Sequence, residues 1–187
     1  MVERLIPPSL RSGCIVDVGC GSYPAFLQDT TFSCKVGLDK SFTPEFVDVM
    51  SSSDLRLMRV DLDENPDLPL ESESCDVVTM MAVLEHFHPH TVPRVLAEIF
   101  RILKPKGICI ITTPCPWTHA LLEIMARLKL VSAEEIEEHQ VLYSVKAILR
   151  LLANAGFPGE AIRGGFFELG MNCWASAAKT TPERGAR

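Results

Sequence analysis

Ile15-Val-Asp-Val-Gly-Cys-Gly-Ser-Tyr-Pro24 decides how the rest of the chain is read. Ile15, Val16 and Val18 are β-branched and suit a short buried strand. Asp17 interrupts that apolar run near its end. Gly19 and Gly21 then let the backbone turn sharply with no Cβ in the way. Beyond them Ser22 is placed to cap a short helix, with Pro24 near its first turn and Ala25-Phe26-Leu27 continuing it. Strand, glycine turn and helix N-terminus together bring a ligand close to the main chain.

Two ligand classes use such a turn. A dinucleotide asks for Gly-x-Gly-x-x-Gly, and here Pro24 stands where the third glycine belongs. S-adenosylmethionine carries no phosphate; it needs close backbone approach and an acid for its amino group, which Asp17 supplies. The next segment, Lys35-Val-Gly-Leu-Asp39, reads as a second strand ending in a carboxylate 18 residues beyond Gly21. That is the return distance of a βαβ unit, and an acid there suits two ribose hydroxyls.

Val16-Asp-Val-Gly-Cys-Gly-Ser22, Gly37-Leu-Asp39 and the later Val83-Leu-Glu-His86 together resemble the class I S-adenosylmethionine-dependent methyltransferases over about residues 10 to 179. One departure is Tyr23, where the family's usual third glycine would fall. The resemblance implies a Rossmann-like, three-layer α/β/α fold: a doubly wound, mostly parallel seven-stranded sheet with an antiparallel last strand. It implies S-adenosyl-L-methionine as cofactor and S-adenosyl-L-homocysteine as product. Asp17, Gly19, Cys20, Gly21, Asp39, Lys40, Asp61, Leu62 and Met81 are the cofactor-binding positions it points to. Asp61 and Leu62 follow a third strand, Leu57-Met-Arg-Val, and stand where the family meets adenine. Met81 ends a fourth strand, Val77-Val-Thr-Met-Met81, facing the methyl donor.

Composition narrows the class. The chain has 187 residues, 47% of them hydrophobic, within the range of a single domain. The formal net charge is −6 and no Lys/Arg cluster forms a nucleic-acid footprint. Seven cysteines without a Cys-x-x-Cys pair read as reduced thiols of a cytoplasmic protein, not zinc ligands or a disulfide framework. No apolar run reaches membrane-span length and no signal-peptide pattern opens the chain. One domain is expected over residues 1–179, with a disordered tail over 180–187. Residues 1–12 form a short lead-in that Pro7-Pro8 keeps from being a long helix.

Farther along, residues 41–54 are polar, include Pro44 and read as a helix-poor connection. His86, His88 and His90 alternate around Pro89, a loop pattern with no carboxylate or cysteine at metal-site spacing, so no metal is expected. Thr91 is placed to cap a helix to Lys104 whose apolar face is Val92, Val95, Leu96, Ile99, Ile102 and Leu103. Lys104-Pro-Lys-Gly107 ends it, and Ile108–Thr113 is a fifth strand. Residues 115–143 read as a helical insertion, either a lid with an apolar wall or packing and interface, and Ser132-Ala-Glu-Glu135 is a capping box inside it. Ser144 caps the last main helix, with Gly156 at its end. Residues 161–168 and 171–178 are two strands joined around Gly170.

The substrate side, on the resemblance, is Glu85, His86, His119, His139 and Tyr143. His86 and His139 are candidate proton acceptors, as is Glu85 if burial raises its pKa. The expected acceptor is a small or lipid-like molecule, bulky or amphipathic, methylated on oxygen, nitrogen or carbon. Two other classes stay open: a non-catalytic methyltransferase-like module, and a nicotinamide-dependent oxidoreductase. Pro24 and the lack of a Tyr-x-x-x-Lys pair argue against the second.

Overall fold

A computed structural model describes residues 1–118 and 141–181. Seven strands form one sheet: β1 (Cys14–Val18), β2 (Cys34–Asp39), β3 (Leu55–Arg59), β4 (Cys75–Met81), β5 (Leu103–Pro114), β6 (Ile162–Phe167) and β7 (Asn172–Ala178). Their spatial order is β3-β2-β1-β4-β5-β7-β6. The first five run parallel, and β7 runs antiparallel to both β5 and β6. The chain builds outward from β1 to β3, then returns to β1's other side to lay down β4. The order therefore switches between β1 and β4, and ligands of such sheets sit outside the strand ends at that point.

Side-chain alternation along the strands divides the core into two layers. Val16, Val18, Val78, Met80 and Ile111 face α4 (Val92–Ile102) and α5 (Val145–Asn154). Ile15, Val77, Leu57 and Ile110 face the other way, towards α1 (Val2–Leu5), α2 (Ala25–Asp29) and α3 (Pro44–Met50). The expected three-layer α/β/α arrangement with an antiparallel last strand is the one observed. On α4, Val92, Val95, Leu96, Ile99 and Ile102 are all essentially inaccessible, the narrow stripe that docks this helix on the sheet.

Local expectations needed correction at four places. Residues 41–54 are not helix-poor: they contain α3, because Pro44 occupies its first turn and Thr43 Oγ1 accepts from Phe46 N at 3.3 Å. Ser22 does not cap α2; Pro24 holds the cap position, and Ser22 stays exposed before it. Thr91 precedes α4 but its side chain makes no capping bond. Lys104–Gly107 belong to β5, since the helix already ends at Ile102 and Leu103 is extended. Ser144 does cap α5, with Oγ accepting from Ala147 N at 3.3 Å. The insertion over 115–143, its capping box and the tail over 180–187 fall largely outside the described residues.

Candidate active site at the carboxyl ends of the strands

The glycine turn is held by one carbonyl. Leu38 O accepts from Gly19 N at 2.7 Å and from Cys20 N at 3.3 Å, clamping the end of β1 onto β2. Gly19 and Gly21 have φ of +70° and +77°, in the left-handed region that favours glycine. They differ in surroundings. A Cβ on Gly19 would lie 2.5 Å from both Val83 methyls, whereas one on Gly21 would meet nothing within 4 Å. Gly37 completes the fit: a Cβ there would strike Leu57, Cys20 Sγ and Leu27. Cys20 thus turns its side chain onto β2, and burial pushes its thiol pKa up.

Asp39 meets this turn from β2. Its Oδ2 accepts from Gly21 N at 2.7 Å, and its Oδ1 from Ser41 N at 2.8 Å and Ser41 Oγ at 2.6 Å. Both oxygens keep accepting capacity towards the space beyond. That space is a cleft of about 640 Å³ along the ends of β1 to β4. Its floor is Gly19, Gly21 and Ala82; its apolar walls are Leu38, Val60, Leu62, Val83 and Phe87. Asp39, Lys40, Asp61, Asp63 and His86 supply the polar groups. Ala82, although not glycine, has φ +53° where β4 turns away.

The charge in the cleft is one-sided. Asp61 Oδ1 accepts from Asp63 N at 3.0 Å, and Asp63 Oδ1 from His88 N at 3.0 Å. Among the described residues none of Asp39, Asp61 and Asp63 forms an ion pair, and Lys40 is the one lysine or arginine lining the cleft. Behind the glycine turn lies Asp17, 1% exposed. It pairs in register with Thr79 of β4, whose Oγ1 donates to Asp17 Oδ1 at 2.6 Å. Burial, opposed by the Thr79 hydrogen bond and aided by the Asp39 charge, pushes its pKa up to about 7.

The structure gathers Gly19, Gly21, Asp39, Lys40, Asp61, Leu62 and His86 around one cleft. Asp17 and Cys20 stand behind it. Met81 lines a separate, smaller cavity. Glu85 is 1% exposed and accepts from Thr113 Oγ1 at 2.8 Å, and Tyr143 is 8% exposed within the core, its phenol pKa raised by burial; neither lines the cleft. His119 and His139 lie outside the described residues. Val60, Asp63 and Phe87 line the cleft without a motif to announce them. Asp63 carried one usable signal, its two-residue spacing from Asp61. Among the described residues no three His, Cys, Asp or Glu side chains converge as metal ligands; His88 and His90 stack on each other at 5.5 Å.

Comparison with known proteins gives this geometry a family. A family model described as a methyltransferase domain matches residues 1–161. Comparison with curated protein sequences found no match. Solved structures share the fold at low identity. An S-adenosylmethionine-dependent methyltransferase from Mesorhizobium loti is 20% identical with a TM-score of 0.70, covering 95% of this chain and 96% of its own. A chain from the complex of the Haloferax volcanii Trm112 methyltransferase activator with a putative methyltransferase is 20% identical, TM-score 0.70, over 93% of this chain and 85% of its own. A possible histamine N-methyltransferase from Thermotoga maritima is 19% identical, TM-score 0.69, over 96% and 86%. With the domain model spanning most of the chain and the sheet order of the class in place, the chain belongs to the class I S-adenosylmethionine-dependent methyltransferase family.

Proposed function

We propose that the cleft binds S-adenosylmethionine and that the protein transfers its methyl group to a small-molecule or lipid-like acceptor. The observation that carries this reading is the cleft's charge: three carboxylates that form no ion pair among the described residues, beside a main chain bared by Gly21. A pyrophosphate would face those acids with one lysine to oppose them, which counts against a nicotinamide dinucleotide. S-adenosylmethionine is a cation with no phosphate, and it supplies an activated methyl group on a sulfonium. A cleft of this volume is within the usual range for a cofactor site.

Asp39, already oriented by Gly21 and Ser41, takes the ribose hydroxyls. Asp61 and the Leu62 main chain hold the adenine edge, with Leu38, Val60 and Phe87 as its apolar surroundings. Asp17 acts from behind the turn, adding negative charge near the amino-acid end once ionised. The protein's contribution is alignment and electrostatics more than bond chemistry. An oxygen acceptor needs a base, and His86 in the cleft is one candidate, with His139 the other; a nitrogen acceptor needs none.

Isothermal titration with S-adenosylmethionine, S-adenosylhomocysteine and NAD tests this. Binding of the first two and not the third is expected. Asp39→Ala should weaken S-adenosylhomocysteine binding about 100-fold, the loss of two charge-assisted hydrogen bonds. Unchanged affinity in that variant refutes the ribose role. A folded protein that binds neither sulfur cofactor refutes the whole assignment and leaves the non-catalytic module.

A further inference from the structure

A second cavity, about 300 Å³, opens between Met81 of β4, Thr112 of β5, Phe26 of α2, Val2 of α1, and Phe167 and Glu168 at the β6–β7 turn. It shares no lining residue with the cofactor cleft. The two nevertheless adjoin along the main chain: Met81 lines one and Ala82 the other. Ala82 N donates to Thr112 O at 2.9 Å, which ties the floor of the cleft to the lining of this cavity.

Three properties define what fits. The walls are apolar and partly aromatic, from Phe26, Met81 and Phe167. Thr112 is 8% exposed, and its hydroxyl has no hydrogen-bond partner among the described residues. A hydroxyl that lines a cavity without a protein partner is available to a ligand atom that can bond it. Glu168 contributes a carboxylate at the mouth, on a left-handed turn with φ +50° at Glu168 and +57° at Leu169. Its Oε2 accepts from Asn172 Nδ2 at 2.5 Å, and it forms no ion pair among the described residues. The cavity's other charged groups offset one another: Glu3 pairs with Arg11 and is attracted as well by the Met1 α-amino group, which also lines the cavity, so Glu168 is the carboxylate left over.

We propose that this cavity holds the methyl acceptor, and that the acceptor is a compact amine on an apolar body the size of one aromatic ring. The proposal rests on the methyltransferase reading and adds the substrate class to it. The amine nitrogen bonds the Thr112 hydroxyl, and Glu168 draws the cationic form to the mouth. No histidine lines the cavity among the described residues, which suits a nitrogen that needs no strong base. The atoms balance simply. The ammonium gives one proton to solvent and its lone pair forms the N–C bond. The S–C bond breaks with its electron pair left on sulfur, and the product departs as a methylammonium.

Three probes with one body separate the charges: 2-phenylethylamine, 2-phenylethanol and phenylacetate. Each is titrated into the full chain saturated with S-adenosylhomocysteine, and each is assayed for methyl transfer. The amine should bind and be methylated, and phenylacetate should do neither. Glu168→Gln should raise the KM for the amine about tenfold with kcat nearly unchanged, and Thr112→Val should lower kcat/KM by about the same factor. Both variants should keep the melting temperature and the S-adenosylhomocysteine affinity of the parent. Equal binding of acid or alcohol, binding of none of the three to the loaded protein, or an unmoved KM in Glu168→Gln overturns the amine assignment alone. Failure of S-adenosylhomocysteine itself to bind overturns the cofactor reading and this proposal together.

Discussion

The two ends of the sheet handle charge in opposite ways. Where the parallel strands begin, charges are satisfied from within. Asp76 accepts from Cys14 N at 2.8 Å and Lys104 Nζ at 2.7 Å; Lys35 pairs with Asp54 at 3.0 Å. Lys179 Nζ donates to Leu103 O at 2.7 Å, lies 3.3 Å from Glu73 and sits 4.9 Å from the centre of the Phe100 ring. Where the parallel strands end, Asp39, Asp61 and Asp63 are held by main-chain N–H groups, with Ser41 Oγ as the added donor to Asp39. Hydrogen bonds fix the direction of these carboxylates without cancelling their charge. One end closes the fold; the other presents negative potential to a ligand.

The largest contrast should appear inside the glycine turn. At Gly19 an alanine meets both a left-handed φ and the Val83 methyls at 2.5 Å. Backbone strain plus overpacking should cost about 3 kcal/mol. At Gly21 the same change meets only the φ of +77°, and the cost should be about 1 kcal/mol. Urea midpoints for the two variants measure the difference directly. Equal losses would mean that Val83 gives way and does not set the height of the turn.

Asp17 sharpens the comparison through pH. It is as buried as the core around it, yet its donor is Thr79, and it forms no ion pair among the described residues. Its folded pKa, about 7, lies above the ordinary 3.8. The folded state therefore prefers the protonated carboxyl. The stability this group contributes is complete below about pH 4 and is lost as pH rises towards about 7. Asp17→Asn should remove the loss: its stability advantage over the parent should grow between pH 4 and 7 and then level. Urea titrations at pH 4.5, 6 and 8 follow this, and an advantage that does not vary with pH would place the proton elsewhere.

Much of this end was legible before the fold was known, and the reason is local. Gly19, Gly21 and Asp39 act through main-chain conformation and strand-end position, which leave marks in the sequence within 20 residues. The apolar stripe of α4 is legible for the same reason. Val60 and Phe87 are silent, and Asp63 is marked only by its spacing from Asp61, because their place depends on how the loops after β3 and β4 cross the cleft. Glu85 and Tyr143 show the converse. Their motif positions invite a pocket role, but Thr113 and the core cover them. Pro44 misled because proline breaks a helix interior and favours a first turn, and only the Thr43 cap decides between the two. Thr112 had no signal at all; it reads as one β-branched residue in a strand until the cavity beside it is seen.

The smallest effect belongs to the strand-start end, and its value is that it should leave binding alone. Asp76→Ala removes the acceptor for Cys14 N as well as the partner of Lys104. An amide left without a partner there should cost about 1–2 kcal/mol. Lys104→Met removes only the ion pair, from a side chain 40% exposed, and after screening by solvent should cost under about 1 kcal/mol. The side-chain hydrogen bond that Lys104 donates to Asp76 raises the lysine's pKa, so this contribution stays intact until the lysine deprotonates at alkaline pH. Neither variant should shift S-adenosylhomocysteine affinity, because both act at the far end of β1 and β4 from the cleft. If Asp76→Ala weakened binding as well as stability, the glycine turn would be sensing the start of its own strand, and the two ends would have to be treated as one coupled unit.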